Sequence, residues 1–299
     1  MSTFAEVDAE LTAPGQFFAI ETVDVRGTPT RVWAATPPTL ADALEQGRVA
    51  GGDRPFLILG DERVTHHQHY ERVVVLADRL VRELGVVKGD RVAIAMRNYP
   101  EWSVAFFATV LVGAIAVPLN AYGNGNELAF GVTDSGARVL IADGERLERL
   151  APHVSELSDT AVVGTRLDDR RGGADLPGDV IALADLVAGP TPTEVPRVSV
   201  DPDDDATIFY TSGTTGLAKG VRGTHRNMCT NLISIMYLSA RAARQAGAPV
   251  PPNLGAPGVI LAPVPLFHAF GCHGLLVPQA FFGGTLVLMR KWIPKLRST

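Results

Sequence analysis

The sequence predicts an α/β fold in which mostly parallel sheets are flanked by helices. From residue 91 onward, short apolar runs alternate with segments of helical periodicity, which is typical of parallel strands covered by helices. Hydrophobic residues make up 46% of the 299 residues, enough to build a globular core. Thirty glycines and 21 prolines indicate many turns and argue against a long coiled coil.

The first 51 residues predict a hairpin followed by a helix. Apolar residues alternate over 17–25, a Gly-Thr-Pro turn occupies 27–29, and 30–33 is typical of a return strand. Two prolines then end the hairpin. Thr39 is a typical N-cap, and it predicts a short helix whose apolar residues begin at Leu40.

A second hairpin and a longer helix are predicted next. Residues 56–59 and 63–64 flank a Gly-Asp pair, which is a typical hairpin turn. Thr65 is a plausible N-cap for a helix that reaches about Leu84, because apolar residues recur there every three or four positions. Gly85 is typical of the residue that follows a helix.

The rest of the chain supplies the alternating strands and helices. The predicted helices are 100–112 and 124–132, and the predicted strands are 92–96, 115–119, 139–142, 161–164, 207–211, 259–262 and 285–289. Residues 168–178 are polar and Gly-rich and predict a surface loop, whereas four prolines in 190–202 predict a joint. We therefore expect a first α/β subdomain over 1–196, including the N-terminal hairpin, and the start of a second over 197–299.

Charge and cysteine content limit the class of function. The formal net charge of −5 makes the chain a poor candidate for nucleic-acid binding. Cys229 and Cys272 are too few for a disulfide framework, which favours a reduced, cytoplasmic setting. Residues 1–14 lack the features of a signal peptide, and the apolar run 104–119 is too short and too interrupted to predict a membrane span.

The segment 210–221 reads Y-T-S-G-T-T-G-L-A-K-G-V and predicts a phosphate-binding loop. Closely spaced glycines let successive backbone N–H groups point at one ligand, small hydroxyls add donors, and a lysine adds positive charge. It is not a Walker A loop, because Ala218 and Gly220 flank the lysine. The predicted phosphate-binding residues are Thr211, Ser212, Gly213, Thr214, Thr215, Gly216 and Lys219.

This segment resembles the signature loop of the adenylate-forming superfamily, which contains acyl-CoA synthetases, firefly-type luciferases and the adenylation domains of peptide synthetases. The family loop reads Y-T-S-G-T-T-G-x-P-K-G-V, and Ala218 stands here in place of the usual proline. Residues 89–92, 110–119, 224–227 and 265–271 resemble further motifs of the family. The resemblance is greatest to fatty-acid–CoA ligases and implies the α/β fold of their large N-terminal domain.

The resemblance also implies a two-step reaction. A carboxylate attacks the α-phosphate of ATP and gives an acyl-adenylate and pyrophosphate, after which a thiol, usually that of coenzyme A, displaces AMP. The loop would hold the β- and γ-phosphates, and the hydroxyl of Thr211 would lie near Mg²⁺. The expected partners are therefore small molecules, with a homodimer as a further possibility.

The same resemblance assigns the acyl-binding pocket to Phe267, His268, Phe270 and Gly271. A lone histidine in an apolar frame is more often a packed residue than a ligand-binding one. Relatives that activate amino acids carry an aspartate in this stretch, but no Asp or Glu occurs between Leu261 and Leu288. A buried amine would then lack a partner, so the resemblance favours a fatty or other uncharged-tail acid.

The family's chains are longer and carry later motifs, including the lysine that assists adenylation, which we do not find before Thr299. We therefore expect an incomplete N-terminal domain with no C-terminal domain, no catalytic residue of its own and little activity. One alternative is a non-catalytic nucleotide-binding or dimerising remnant of the fold. Another is an adenylating enzyme with a different acceptor.

Two further groups were weighed as metal sites and set aside. The histidines at 66, 67 and 69 do not converge on one face of a helix, and we interpret them as a solvated helix start. The acidic run 201–205 is interpreted as a solvated joint. Cys272 and His273 are neighbours in sequence, which does not by itself make a nucleophile and base.

Overall fold

A computed structural model describes residues 3–169, 179–192, 198–211, 218–250, 254 and 258–290. The predicted loop 168–178, the joint 190–202 and the phosphate loop therefore lie partly outside the described residues. Within them the fold is mixed α/β with mostly parallel sheets, as predicted.

The strands are β1 (Ile20–Val25), β2 (Thr28–Trp33), β3 (Pro55–Leu59), β4 (Glu62–Thr65), β5 (Arg91–Ala95), β6 (Ile115–Pro118), β7 (Ala137–Asp143), β8 (Ala161–Thr165), β9 (Ile181–Ala182), β10 (Asp205–Thr211), β11 (Lys219–Thr224), β12 (Val259–Ala262) and β13 (Thr285–Leu288). The helices are α1 (Phe4–Leu11), α2 (Leu40–Gly51), α3 (His66–Arg82), α4 (Pro100–Leu111), α5 (Gly125–Ser135), α6 (Gly144–Leu150), α7 (Leu183–Leu186), α8 (His225–Gln245) and α9 (Val277–Phe282). Short 3₁₀ helices cover Ala151–Leu157 and Leu167–Asp169, and a π-helix covers Phe270–Leu276.

A seven-stranded sheet forms the centre of the described structure. Its strand order is β11-β10-β6-β5-β7-β8-β9, and every neighbouring pair is parallel except β10 with β11. The middle strands are buried on both faces because helices cover both sides, which explains why their sequences are continuously apolar. Trp102 and Phe106 of α4 stack against each other in the core on one side.

The second sheet joins distant parts of the chain. Its order is β12-β13-β3-β4, and β3 pairs with β13 in parallel although more than 220 residues separate them. Both larger sheets thus draw strands from the two sides of the predicted subdomain boundary at 196/197. The sheets therefore do not separate at residue 196, and the division into two subdomains stays a prediction.

Local signals explain where several helices begin. The side chains of Thr39, Thr65 and Asn124 each accept a hydrogen bond from the backbone N–H of the third residue of their helix. The backbone N–H of the capping residue in turn donates to the side chain of that third residue. Such capping boxes satisfy backbone N–H groups that a helix start would leave unpaired. Gly85 follows α3 with a φ of +62°, the left-handed conformation that glycine adopts without strain.

The N-terminal helix α1 was not predicted. It buries Val7 and Leu11 against α8, and Asp8 accepts bonds from Tyr237 at 2.5 Å and Arg241 at 2.6 Å. An eight-residue helix is marginal by itself, so these contacts with α8 stabilise it rather than its own propensity.

Candidate functional site

The base of the predicted phosphate loop is a hairpin at the edge of the seven-stranded sheet. Thr211 ends β10 and lies opposite Lys219, the first residue of β11. Because β10 runs parallel to β6, Thr211 lies at the carboxyl edge of the sheet, where ligands of α/β folds usually bind. The residues from Ser212 to Gly216 lie outside the described residues, so their phosphate-binding role remains a prediction.

Both residues at this base are open to solvent. Lys219 is exposed and forms no ion pair with any described side chain. Thr211 is also exposed, and its hydroxyl donates only a long bond of 3.5 Å to the carbonyl of Lys219. A cation and a hydroxyl without strong internal partners suit the binding of an external polyphosphate.

Contacts between Tyr210 of β10 and helix α5 hold the hairpin in place. The hydroxyl of Tyr210 donates to Asp134 of α5 at 2.6 Å, and the Tyr210 ring meets Phe130 edge to face. Burial and the Asp134 carboxylate raise the pKa of Tyr210, so it stays protonated and keeps this bond at neutral pH. The loop is thus attached to a fixed strand pair.

The predicted acyl-binding segment follows β12 in the sequence, and its residues differ in exposure. Phe267 is 4% exposed, whereas Phe270 is 65% exposed and His268 is open to solvent. His268 contacts the ring of Phe267, with 4.7 Å between centroids. Phe267 is thus packed into the protein, and the acyl-binding role of all four residues remains a prediction.

Gly271 is required by packing alone. A Cβ at this position would lie 2.1 Å from the carbonyl oxygen of Pro265, so any other residue would force the backbone apart. Gly271 is also buried. Packing therefore explains why a glycine stands here, and the predicted role of Gly271 in the acyl pocket remains a prediction.

Asn98, which sequence reasoning missed, holds this segment in place. Its amide nitrogen donates to the carbonyl of Val264, and its oxygen accepts from the backbone N–H of Leu266, both at 2.9 Å. Asn98 follows β5 at the carboxyl edge, so one side chain connects the two sheets. The contact spans more than 160 residues, and no local signal could have indicated it.

Arg97 and Tyr122, also missed, complete this region. The Arg97 guanidinium carbon lies 3.8 Å from the centroid of the Tyr122 ring, and that ring meets Phe267 at 5.6 Å. With Asn98 and Arg290 they line a cavity of about 60 Å³. The backbone N–H of Arg97 donates to Asp143 at 3.0 Å, and burial raises the pKa of that carboxyl.

The cysteines and the histidine beside the segment do not form a reactive pair. Cys229 and Cys272 are buried free thiols, and burial raises the pKa of Cys229 to about 12. Burial raises the pKa of Cys272 as well, which suppresses the thiolate. His273 contacts the Phe209 ring edge to face at 5.0 Å, and burial lowers its pKa to about 4.

The interpretation of the histidines near 66 as a solvated helix start is wrong for two of the three. His66 is 3% exposed and donates to the carbonyl of Gly284 at 2.9 Å. His69 is 1% exposed and bonds Ser103 at 2.8 Å. His67 alone faces solvent, near Asp53. Within the described ranges no three side chains of His, Cys, Asp or Glu are placed to hold a metal.

Three aspartates of the acidic run at 201–205 form ion pairs with basic side chains, so the run is not simply solvated. Asp203 binds Arg226 at 2.7 Å, Asp204 binds Lys88 at 2.7 Å, and Asp205 binds Arg222 at 3.0 Å. These pairs connect the start of β10 to its surroundings. Of the helices that the structure describes, none combines the length and apolar character needed to cross a membrane.

Comparison with known proteins gives the family. A sequence model described as "AMP-binding enzyme" matches residues 44–299. The chain is 29% identical over 220 residues to 4-coumarate–CoA ligase 2 of rice (Oryza sativa subsp. japonica), an alignment that covers 71% of this chain and 36% of that protein. It is 29% identical over 263 residues to a long-chain-fatty-acid–CoA ligase of Escherichia coli O6:H1, covering 81% and 45%.

A solved structure of the anthranilate CoA ligase AuaEII in complex with anthranoyl-AMP shares the fold. Its TM-score is 0.68 at 23% identity, with 85% of this chain and 45% of that chain covered. The chain thus spans less than half the length of these relatives. The match over residues 44–299 nevertheless covers most of the sequence, and the chain belongs to the AMP-binding enzyme family, as its loop predicted.

Proposed function

We propose that the chain is the part of an ATP-dependent acyl-CoA ligase that binds ATP and the acid. A carboxylate oxygen attacks the α-phosphorus of ATP, the bond from that phosphorus to the β-phosphate bridge breaks, and pyrophosphate leaves. The thiol sulfur of coenzyme A then attacks the acyl carbon, loses its proton, and AMP leaves. The names of the rice and E. coli relatives support the ligase class.

One observation carries the proposal, namely the placement of Thr211 and Lys219. They face each other across a hairpin at the carboxyl edge of the sheet, and both are exposed. The seven residues between them, three of them Ser or Thr and two of them Gly, connect two strand ends that are held at this edge. A polyphosphate there would receive backbone N–H groups from the loop and the charge of Lys219.

The residues present fit Mg²⁺ only as a partner of the nucleotide. Among the described side chains no three of His, Cys, Asp or Glu are placed to hold a metal, and the exposed hydroxyl of Thr211 is the predicted ligand. Mg²⁺ usually keeps waters and substrate phosphates as most of its ligands, so one hydroxyl is compatible with this site. When bound, the ion would neutralise phosphate charge, while Lys219 orients the phosphate chain.

For the acid we propose an uncharged tail, with a fatty acid as the first candidate. The segment from Leu261 to Leu288 contains no acidic residue that could pair with an amine. Phe267 is buried beside Tyr122, so the wall nearest to His268 is aromatic. An aromatic acid is the second candidate, because the rice relative is a 4-coumarate–CoA ligase.

The test combines nucleotide binding with acid-dependent exchange. We expect saturable binding of MgATP to the folded chain, and incorporation of labelled pyrophosphate into ATP with one acid class in a form of the protein that catalyses exchange. Fatty, aromatic and amino acids form the panel, and the active class names the substrate. A folded chain that binds no nucleotide would contradict the ligase proposal and favour the dimerising form of the non-catalytic remnant.

A further inference from the structure

The predicted acyl-binding segment runs into a helix with an unusual turn. Residues Phe270–Leu276 form a π-helix, and α9 continues it as an ordinary α-helix. In an α-helix the backbone N–H of Val277 would donate to the carbonyl of His273, four residues earlier. Here it donates to the carbonyl of Cys272, five residues earlier. Such wide turns are rare and are frequently found at functional sites.

A proline accounts for part of this turn. Pro278 is the second residue of α9 and has no N–H, so it cannot donate to the carbonyl of Gly274. In a regular α-helix its ring would also press against that carbonyl. A wider turn just before the proline avoids this contact, so the sequence itself disfavours the regular α-helical register here.

The side chain of Asn231 binds the carbonyl that the wide turn releases. Its amide nitrogen donates to the carbonyl oxygen of His273 at 3.0 Å, in a partly buried bond. In an α-helix that oxygen would accept from Val277, so Asn231 takes the place of the lost backbone donor. A carbonyl without a partner costs free energy away from water. Asn231 therefore stabilises the π register relative to the α register.

The π-helix contacts both elements that flank the predicted phosphate loop. Asn231 belongs to α8, which follows β11, and the His273 ring meets Phe209 of β10 edge to face at 5.0 Å. On the other side α9 packs against α2, and four of its six residues are buried. Because α9 is held in this way, a change of register would turn the residues before it by about 100°, the rotation of one residue in an α-helix.

We propose that Asn231 is a positioning residue, which holds the acyl-binding segment in the orientation set by the π-helix. Through the carbonyl of His273 it determines which side chains of the segment face the acid. It therefore acts on the choice of acid and not on the binding of the ATP phosphates. The role toward the acid rests on the proposed function, whereas the register of the helix does not.

Chemical labelling of Cys272 tests the register without any turnover. This thiol is fully buried in the π-helix, and a turn of about 100° would move it out of its buried position. We expect the rate of iodoacetamide labelling at Cys272, located by mass spectrometry, to rise about tenfold or more in Asn231→Leu, as for the loss of a buried hydrogen bond. Cys229, buried in α8, should stay protected and reports on global unfolding.

Two further variants serve as controls for the labelling. Asn231→Gln keeps an amide donor and should restore most of the protection, whereas Ser239→Ala changes an exposed residue of the same helix and should have no effect. Labelling of Cys272 in Asn231→Leu at the parent rate would overturn the proposal. An equal rise at Cys229 would overturn it as well, because Asn231 would then stabilise the fold as a whole.

The choice of acid is measured in a form of the protein that catalyses pyrophosphate exchange. Asn231→Leu should change the KM for the acid about tenfold, the effect of a small misfit in an apolar pocket, and leave the KM for MgATP unchanged. Ser239→Ala should change neither value. Equal changes in both KM values would overturn the positioning role. An absence of exchange in the parent protein, with the labelling results intact, would support the register and count only against the proposed function.

Discussion

The start of α3 and the carboxyl edge of the seven-stranded sheet both concentrate polar side chains, but they use them differently. At α3 the polar atoms are paired internally, since His66 bonds Gly284, His69 bonds Ser103, and Thr65 caps the helix. At the sheet edge Lys219 forms no ion pair with a described residue, and Arg97 leaves a buried donor unpaired.

The difference shows that residue type alone is a poor guide to function. Three histidines within four positions suggest a metal site, yet two of them are core residues whose rings pack on Phe56. A single arginine after a strand suggests nothing, yet Nη1 of Arg97 is buried with no hydrogen-bond acceptor among the described residues. Pairing of polar groups in the fold distinguishes the structural cluster from the candidate site.

The largest effect, on the adenylation rate, is expected at Lys219, whose charge would bind the phosphates of ATP. In a form of the protein that catalyses exchange, Lys219→Ala should lower the adenylation rate about 100-fold or more, which is the usual effect of losing one preorganised group that stabilises transition-state charge. Stability should change little, because the side chain is exposed. Pyrophosphate exchange and urea unfolding measure the two quantities.

Lys88→Ala is the matched control for that experiment. Lys88 is another surface lysine, but it is paired with Asp204 at 2.7 Å. It should leave exchange unchanged and cost at most about 1 kcal/mol of stability, as surface pairs do. Equal exchange rates for Lys219→Ala and Lys88→Ala would contradict the role of Lys219.

At α3 we expect a large loss of stability, in contrast to the small change in stability expected for Lys219→Ala. His69→Ala should lower the free energy of unfolding by about 3 kcal/mol, because it leaves a cavity between Phe56 and Phe107 and removes the partner of Ser103. His67→Ala, two residues away and exposed, should cost less than about 0.5 kcal/mol. Chemical unfolding of the two variants decides the matter. Similar losses would mean that burial does not distinguish these histidines.

Acid should destabilise the fold through buried histidines, namely His69 in α3 and His225 at the start of α8. Burial lowers the pKa of His69 to about 3 and that of His225 to about 4, from an ordinary value near 6.5. Between those values the unfolded chain binds more protons, so stability is complete above about pH 6.5 and falls as the pH falls. At pH 5 each histidine should cost up to about 2 kcal/mol.

Urea unfolding at a series of pH values from 7.5 to 5 measures that slope. His69→Gln should flatten the dependence by removing one of the titrating groups, while Gln keeps a polar partner for Ser103. A stability that does not change with pH in the parent chain would be inconsistent with buried neutral imidazoles.

Much of the fold followed from local patterns. The N-caps predicted at Thr39 and Thr65 and the alternation of apolar segments predicted α2, α3, α5 and the central strands within a few residues. These signals are local, because a cap or a periodicity depends on residues within one or two turns. Strand β11 was missed, since its K-G-V-R-G-T sequence has loop composition and pairing with β10 alone makes it a strand.

The site could be predicted only where it is a contiguous motif. The loop ends Thr211 and Lys219 were identified because the motif lies within one segment of sequence. Asn98 and Tyr122 were missed because their partners in 264–267 lie more than 140 positions away, and Arg97 was missed because its partner is Tyr122. Such contacts leave no periodicity and no spacing, so sequence reasoning without the fold has no signal for them.

The smallest effect is expected at His268, which neither the core nor the ion pairs require. It is exposed and its ring lies beside that of Phe267, so His268→Trp should leave the free energy of unfolding within about 0.5 kcal/mol. If it borders the acyl pocket, the larger ring should shift the ratio of exchange rates between short and long acids by about tenfold, near the effect of one or two methylenes. MgATP affinity should stay unchanged, and His67→Trp, at a solvent-facing histidine of α3, is the control. An acid profile that both variants share with the parent protein would remove His268 from the pocket and leave Phe267 as its wall.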